Sequence, residues 1–296
     1  MPAYRAVEEL VRGQDQPSPD LTGIPETALW TVYHRAAEAA RPDTVLPDPR
    51  AVRLVRELDF PFRARLGAAR PWVAQAIALR ALGFDGVVRE FLAAHPDGTV
   101  IALGEGMETQ FWRVDNGRVR WVTVDLADPL ELRLRVLPHG ARQRPVACDI
   151  RDRRWLDGID ASRGVLVTAQ GLLMYLQPAQ VHQLIADCAE NFPGGTMVFD
   201  TVSRRFSART RAGGQGPGGH RLPPMPWGVD PAEREALRTL HPAVTELRDI
   251  PLPAGRGLLG YAASHAAALP FLRKNRPLIT RLRFAAAPAG HRTGGA

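Results

Sequence analysis

The feature that most constrains the fold is the alternation of short apolar runs and helical stretches that begins at Thr99. Runs rich in apolar and β-branched residues predict strands at 99–104, 120–125, 145–150, 164–170 and 196–202. Segments with helical spacing lie between several of these runs, for example at 128–137 and 177–192. Strand, helix and strand repeated in this way predict a parallel sheet with helices on both faces.

The part of the chain before this alternation has a different character. Residues 1–24 are polar and contain several prolines, which predicts a loose arm. From Glu26 to Leu92 the apolar spacing is helical, with prolines at the breaks. We therefore expect an arm and a helical cap over 1–95, followed by a core over 96–296.

The end of the chain completes the sheet after an interruption. Strand patterns recur at 244–253 and 279–286, with a helical pattern at 257–274 between them, so the expected fold is α/β with a mostly parallel, seven-stranded, Rossmann-like sheet. The interruption at about 203–242 is rich in glycine and proline with almost no periodicity, which is typical of a lid or of disorder. A substrate lid is favoured because Met225 and Trp227 would be costly to expose.

Composition limits the possible functions. The 296 residues are 45% hydrophobic, enough for a full core, and Cys148 and Cys188 have no metal-binding or redox spacing. The sequence contains no apolar run of membrane-spanning length and does not begin with a signal peptide, which predicts a cytoplasmic protein without a membrane partner. The net charge of +7 comes from dispersed arginines, which favours a small anionic substrate over nucleic acid. A homodimer is left open.

A Gly-x-Gly turn at the end of the first predicted strand indicates a nucleotide site. Gly104 and Gly106 allow the backbone to approach a ligand without obstruction by side chains. A dinucleotide-binding turn has a third glycine three residues later, where this chain has Thr109. This difference weakens the interpretation as a nicotinamide-dependent oxidoreductase.

Two aspartates end the next two predicted strands and narrow the choice of nucleotide. Asp125 lies 21 residues after Gly104, where an acid can accept two hydrogen bonds from a ribose diol, and Asp149 is placed to hold an adenine amine. Glu105 and Glu108 flank the turn and are expected to repel a phosphate. An adenosine without a phosphate fits, as in S-adenosylmethionine, although strand-end aspartates also often cap helices.

These segments resemble a known family. The motifs, in chain order, are ETALWTVYHRAAEAARPDTVLPDPRA, TVIALGEGMETQFWRVD, DIRDRRWLDGI, AQGLLMYL and FPGGTMVFD. Over roughly residues 25 to 203 the chain resembles the leucine carboxyl methyltransferase family, and more closely the bacterial polyketide O-methyltransferases of the tetracenomycin type. The resemblance implies a class I S-adenosylmethionine-dependent methyltransferase with a helical cap and a late lid insertion.

The resemblance also implies roles for individual residues, and no metal ligands. The implied cofactor residues are Arg80 for the methionine carboxylate, Gly104 and Gly106 in the turn, Asp125 and Leu126 at the ribose, Asp149 and Ile150 at the adenine, and Gln170 at the ammonium. Gln170 stands where many members have Glu, and Gln110 where many have Arg. These two departures keep open a cofactor-binding protein that has lost catalysis.

The chemistry of methyl transfer leaves the acceptor open. A sulfonium is already an activated donor, so the protein must mainly align an oxygen nucleophile and exclude water. A carboxylate, with a pKa of about 4, needs no base, whereas a phenol, with a pKa near 10, benefits from one. The candidate catalytic residues are Tyr175 and His34, and the candidate substrate contacts are Trp30, His220, Met225 and Trp227. Ordinary packing is the alternative for each.

The expected function is therefore S-adenosylmethionine-dependent O-methylation of a small aromatic or polyketide acceptor, at a carboxylate or a phenolic hydroxyl. A protein carboxyl methyltransferase is the second enzymatic possibility. It is disfavoured because the expected lid shows no charged stripe that would hold a protein tail.

Overall fold

The computed structural model of the chain describes residues 26–214, 222–257 and 278–287. The expected arm at 1–24, His220 and almost all of the helix expected at 257–274 lie outside the described residues.

Four helices of the described residues precede the first strand. They are α1 (Glu26–Ala39), α2 (Pro49–Glu57), α3 (Phe62–Leu66) and α4 (Pro71–Ala94). Proline in the first turn of α2 and α4 favours helix initiation, and the Asp48 carboxylate caps α2 by accepting from the backbone N–H of Ala51 at 3.0 Å. An apolar cluster that includes Leu29, Leu54 and Phe62 joins α1, α2 and α3. The helical prediction for this part of the chain is confirmed.

Within the described residues, seven strands form one sheet. The strands are β1 (Thr99–Leu103), β2 (Arg120–Asp125), β3 (Gln143–Ala147), β4 (Val165–Ala169), β5 (Thr196–Thr201), β6 (Val244–Ile250) and β7 (Leu278–Phe284). Their order is β3-β2-β1-β4-β5-β7-β6, and β7 runs antiparallel to its two neighbours while the other pairs are parallel. The mostly parallel seven-stranded sheet is confirmed, and its order reverses between β1 and β4, where ligands of such sheets bind.

Helices cover both faces of this sheet. They are α5 (Gln110–Val114), α6 (Ala127–Val136), α7 (Pro178–Asn191) and α8 (Arg204–Arg211), with short 3₁₀ helices at Arg153–Leu156, Leu173–Tyr175 and Arg234–Thr239. Alternate residues of β1 enter opposite cores, since Ile101 packs with the α7 side and Val100 packs with α4 and α5. Every residue of β1 and β4 is buried, as expected of central parallel strands.

The third strand ends earlier than its sequence predicts. Strand pairing stops at Ala147 instead of continuing to Ile150. The Asp149 carboxylate accepts from the backbone N–H of Arg151 at 2.9 Å, and the Asp149 carbonyl accepts from Asp152 at 2.8 Å. These local bonds replace the ladder by a turn, so Asp149 lies in the loop after β3.

The segment 203–242 contains more regular structure than its sequence predicts. The expectation of almost no helix was wrong for α8 and for the 3₁₀ helix at Arg234–Thr239. Ser207 donates to the Met225 carbonyl at 2.6 Å, and Thr210 accepts from the Met225 N–H at 3.0 Å. These side-chain bonds hold α8 against the chain around Met225, which helical periodicity does not reveal. Its role as a substrate lid stays a prediction.

Met225 and Trp227 lie inside the protein. They are 7% and 4% exposed, and the Trp227 ring centroid is 6.0 Å from that of Phe199 in the core beneath α7. Such burial is expected of core packing, and the roles of both residues as substrate contacts stay predictions.

A buried ion-pair network joins the N-terminal helices to the turn after β1. The Arg35 guanidinium in α1 lies 2.8 Å from Asp48 and 2.8 Å from Glu108, and it donates to the Met107 carbonyl at 2.9 Å. The side chains of Arg35 and Asp48 are each 1% exposed. Because Arg35, Asp48 and Glu108 come from three separate segments, this arginine fixes α1 and the start of α2 against the turn.

Arg113 in α5 completes the network. Its guanidinium lies 2.8 Å from Asp48, 2.8 Å from Asp85 and 2.9 Å from Glu108. Asp85 belongs to α4, so the same network also ties the longest of the preceding helices to the turn. Two arginines thus neutralise most of the charge of three buried carboxylates.

We expect Arg35→Met to destabilise the protein by about 3–5 kcal/mol, because it leaves two buried carboxylates short of a partner. Arg53→Met is the matched control, since Arg53 is 74% exposed in a surface pair with Glu57. Urea unfolding of both variants measures the difference. Equal midpoints for the two variants would show that the network does not stabilise the fold.

Candidate functional site

The turn after β1 forms the centre of the candidate site. Gly104 and Gly106 have φ of 58° and 49°, in the left-handed region that favours glycine. A Cβ at Gly106 would lie 2.8 Å from the Cβ of Ala28, and one at Gly104 would lie 2.6 Å from Leu172 Cδ1. Both glycines are therefore required by backbone conformation and by close packing, with α1 seated directly on the turn.

Asp125, at the end of β2, is bonded to this turn. Its Oδ2 accepts from the Gly106 N–H at 2.7 Å, and its Oδ1 accepts from the Leu126 N–H at 2.8 Å. Burial raises the pKa of Asp125, although both backbone bonds oppose the shift. Each oxygen keeps a further lone pair that can accept from a ribose hydroxyl. The Leu126 side chain is 46% exposed beside it, an apolar surface suited to a flat ring.

Asp149 and Ile150 lie on the neighbouring edge. The N–H of Cys148 donates to the Asp125 carbonyl at 2.9 Å, which sets the loop after β3 beside the end of β2. A hydrogen bond from Arg151 lowers the pKa of Asp149, so its carboxylate is ionised and can accept from an amine. Ile150 packs against the apolar core.

Arg80, Gln170 and Gly171 meet at the end of β4. The Nη1 of Arg80 donates to Asp200 Oδ2 at 3.1 Å, and Asp200 Oδ1 accepts from the Gly171 N–H at 2.6 Å. A Cβ at Gly171 would lie 3.2 Å from Arg80 Nη1, so the guanidinium rests on the turn. Asp200 is 2% exposed in β5 and holds both elements. Sequence reasoning missed Asp200, although an acid within the apolar run TMVFD was a usable signal.

Two buried polar atoms at this end of the site have no hydrogen-bond partner within the described residues. They are Arg80 Nε, a donor, and Gln170 Oε1, an acceptor. The amino-acid end of S-adenosylmethionine offers the complementary pair, a carboxylate that accepts and an ammonium that donates. The residues present therefore fit the cofactor at this end, as Asp125 does at the ribose.

Glu105 and Glu108 do not act as free charges around the turn. Glu105 accepts from Thr123 Oγ1 at 2.5 Å and lies 2.9 Å from Arg133, while Glu108 faces Arg35 and Arg113. Arginines outside the turn therefore offset both charges, and repulsion of a phosphate by the two glutamates stays a prediction.

Tyr175 lies close to the methionine end of the site. It ends the 3₁₀ helix Leu173–Tyr175. A hydrogen bond with Thr27 of α1 and the positive charge of Arg80 both act to lower the pKa of its hydroxyl. Burial raises the pKa of Tyr175 in spite of these two effects, so the hydroxyl keeps its proton at neutral pH. A protonated hydroxyl at this position can donate to an acceptor oxygen.

His34 and Trp30 are neighbours in α1. Their ring centroids are 4.4 Å apart, and His34 is 1% exposed. The Nδ1 of His34 lies 2.9 Å from the Trp30 carbonyl. Because a carbonyl only accepts, Nδ1 carries a hydrogen, and any base function falls to Nε2. The roles of His34 and Trp30 stay predictions.

Among the residues that the structure describes, no group of three or more His, Cys, Asp or Glu side chains is arranged to hold a metal ion. Likewise, no helix in residues 26–214, 222–257 and 278–287 has the length and apolarity to cross a membrane.

Comparisons with known proteins show the family of the chain. A sequence model described as leucine carboxyl methyltransferase matches residues 28–189. The tetracenomycin polyketide synthesis O-methyltransferase TcmP of Streptomyces glaucescens is 33% identical over 183 residues, which are 62% of this chain and 67% of that protein. The S-adenosyl-L-methionine-dependent methyltransferase dpfgK of Gibberella zeae is 30% identical over 187 residues, and the match spans 58% of this chain and 62% of that relative.

The fold is similar to that of a crystal structure from Thermobifida fusca YX, which is described as a methyltransferase. The superposition covers 91% of this chain and 96% of the other chain, with a TM-score of 0.54 and 17% sequence identity. The fold is that of a class I S-adenosylmethionine-dependent methyltransferase, and S-adenosylmethionine is the cofactor. The chain belongs to the leucine carboxyl methyltransferase family. The resemblance stated from its motifs is confirmed.

We expect Asp125→Asn to weaken S-adenosylhomocysteine binding by about 1–3 kcal/mol, because an amide loses charge-assisted bonds to the ribose. Asp128→Asn, an exposed change in the first turn of α6, is the control. Isothermal titration compares the two. Equal affinities would remove Asp125 from the site.

We expect Gly106→Ala to destabilise the protein more than Gly117→Ala. Both glycines have positive φ, which costs alanine about 1–2 kcal/mol, but a Cβ at Gly117 meets nothing within 4 Å, whereas one at Gly106 meets Ala28. Overpacking adds about 1–3 kcal/mol at Gly106. Thermal unfolding measures the difference, and equal losses would show that α1 does not press on the turn.

Proposed function

We propose that the protein transfers a methyl group from S-adenosylmethionine to an oxygen of a small aromatic or polyketide acceptor. The observation that carries this proposal is the buried pair of Arg80 Nε and Gln170 Oε1, which have no partner among the described residues and fit the methionine end of the cofactor. Tyr175 is close enough to Arg80 for its charge to act on the tyrosine hydroxyl. The description of the relative TcmP as a polyketide O-methyltransferase supports an oxygen acceptor.

The ionisation of the cluster favours a carboxylate over a phenol. Tyr175 keeps its proton, and Asp200 is already engaged by Arg80 and by the Gly171 N–H. These groups supply a hydrogen-bond donor rather than a base. A carboxylate acceptor is ionised at neutral pH and needs only to be oriented.

The chain's own residues then perform a few defined tasks. Arg80 and Gln170 hold the amino-acid end of the cofactor, while Asp125, Leu126, Asp149 and Ile150 hold its adenosine. Tyr175 orients the acceptor oxygen by donating to it, and α1 covers the turn and excludes water. When bound, the cofactor supplies the electrophilic methyl group of a sulfonium.

Two other functions are separated by experiment. A protein carboxyl methyltransferase is suggested by the family's description, and methylation of a peptide α-carboxylate in place of small acids would favour it. A cofactor-binding protein without catalysis is suggested by Gln170 and Gln110. The Gln110 amide, however, donates to buried Asp85 at 3.0 Å, which gives it a structural role in the ion-pair network.

The test is methyl transfer from S-adenosylmethionine to a panel of aromatic carboxylic acids and phenols across pH. We expect transfer to an acid with kcat/KM flat from about pH 6 to 9, because the acceptor is ionised throughout, whereas a phenol without a base would show a rate that rises with pH. Cofactor binding without transfer to any acceptor would contradict the proposal.

We expect Tyr175→Phe to lower kcat/KM for that acceptor by about tenfold, the effect of one lost hydrogen bond to a charged oxygen, with S-adenosylhomocysteine affinity little changed. Tyr33→Phe is the control, since Tyr33 stacks on Phe62 at 5.3 Å within the helical region. Unchanged turnover in Tyr175→Phe would assign this tyrosine to packing.

A further inference from the structure

Gln170 and Glu108 form a contact that joins the cofactor site to the buried ion-pair network. The Gln170 Nε2 donates to Glu108 Oε2 at 3.0 Å. The same oxygen faces Arg35 Nη1 at 2.8 Å, while Oε1 accepts from the Thr109 N–H at 2.8 Å and faces Arg113 at 2.9 Å. A carboxylate has about four acceptor positions, so Glu108 has none left for a ligand.

The ionisation of Glu108 determines which way the Gln170 amide points. Burial opposes ionisation, but the charges of Arg35 and Arg113 outweigh it and lower the pKa of Glu108 to about 2. A carboxylate only accepts hydrogen bonds. The amide must therefore present its NH₂ group to Glu108 and turn its carbonyl oxygen away.

That carbonyl oxygen is the buried Gln170 Oε1, which has no partner among the described residues. Gln170 directly precedes Gly171, and the Arg80 guanidinium packs against the turn at Gly171. A buried acceptor without a donor is unfavourable because it has lost its hydrogen bonds to water, so a ligand with an N–H group at this place is favoured. A glutamate at 170 would instead set a second carboxylate about 3 Å from the first, with strong repulsion.

We propose that Glu108 is a positioning residue that fixes the Gln170 amide so that its carbonyl accepts a hydrogen bond from the ammonium group of S-adenosylmethionine. Residues 108 and 170 are then a matched pair, one ionised and one neutral. The inference rests on the proposed function only in requiring that the cofactor binds, and it concerns how this chain holds the amino-acid end without a carboxylate at 170.

The test compares two ligands that differ only in the amino-acid end. Isothermal titration with S-adenosylhomocysteine and with methylthioadenosine, which lacks the amino-acid group, is run on wild type, Glu108→Gln, Gln170→Glu and the double variant. Each single change is expected to weaken the binding of S-adenosylhomocysteine about tenfold or more. The affinity for methylthioadenosine is expected to stay within about twofold of the wild-type value. The double variant exchanges the ionised and neutral positions, and its affinity for S-adenosylhomocysteine is expected to recover to within about threefold of wild type.

A second variant guards against a simple loss of folding, because Glu108→Gln removes two ion pairs. Gln170→Met keeps the side-chain volume and leaves the ion pairs of Glu108 with Arg35 and Arg113 in place, but it removes the side-chain carbonyl. It is therefore expected to weaken the binding of S-adenosylhomocysteine and not that of methylthioadenosine. Methylthioadenosine binding reports that the rest of the site is intact.

Several results would overturn the inference. They are equal weakening of both ligands, additive losses in the double variant, or wild-type affinity for S-adenosylhomocysteine in Gln170→Met. Wild-type protein that binds both ligands with equal affinity would overturn it too. Failure of the proposed function is distinct, since it appears as absent methyl transfer by wild type while the binding differences persist.

Discussion

The structure depends on two arginines that offset most of the charge of three carboxylates with little or no exposure to water. Arg35 and Arg113 join Asp48, Asp85 and Glu108, and these residues come from α1, the N-cap of α2, α4, α5 and the turn after β1. Removing one partner from such a network leaves an uncompensated buried charge, which is far more costly than loss of a surface pair. The network therefore fixes where α1 lies, and with it the cover over the glycine turn.

The cofactor site is an extension of the same arrangement. Glu108 belongs to the network and also bonds Gln170, while Asp200 bonds both Arg80 and the turn at Gly171. The groups that fit the amino-acid end of S-adenosylmethionine are thus held by buried acids instead of by solvent-exposed loops. Rigid support of this kind reduces the entropy lost when a ligand binds.

Much of the fold follows from local sequence patterns, because strand and helix periodicity is a short-range property. The strands from Thr99 onward, the glycine turn and Asp125 at the end of β2 are all visible in this way. The end of β3 was predicted too late, since side-chain bonds of Asp149 terminate it. Helix α8 was missed because Met225, distant in sequence, supplies its partners.

The charges of the site were harder to predict than its backbone. Glu105 and Glu108 appeared as free acids in the sequence, because the arginines that neutralise Glu108 lie up to 73 residues away. Asp200 pairs with Arg80 across 120 residues, so no local pattern reveals the contact. Long-range ion pairs are set by tertiary packing, which explains why their members were misjudged or overlooked.

The decisive experiment is a crystal structure of the complex with S-adenosylhomocysteine. We predict ribose hydroxyls within hydrogen-bond distance of Asp125, the ligand carboxylate on Arg80 and its ammonium on Gln170 Oε1, with α1 seated over Gly106. A ligand bound elsewhere on the sheet, or an amino-acid end that contacts neither Arg80 nor Gln170, would contradict it.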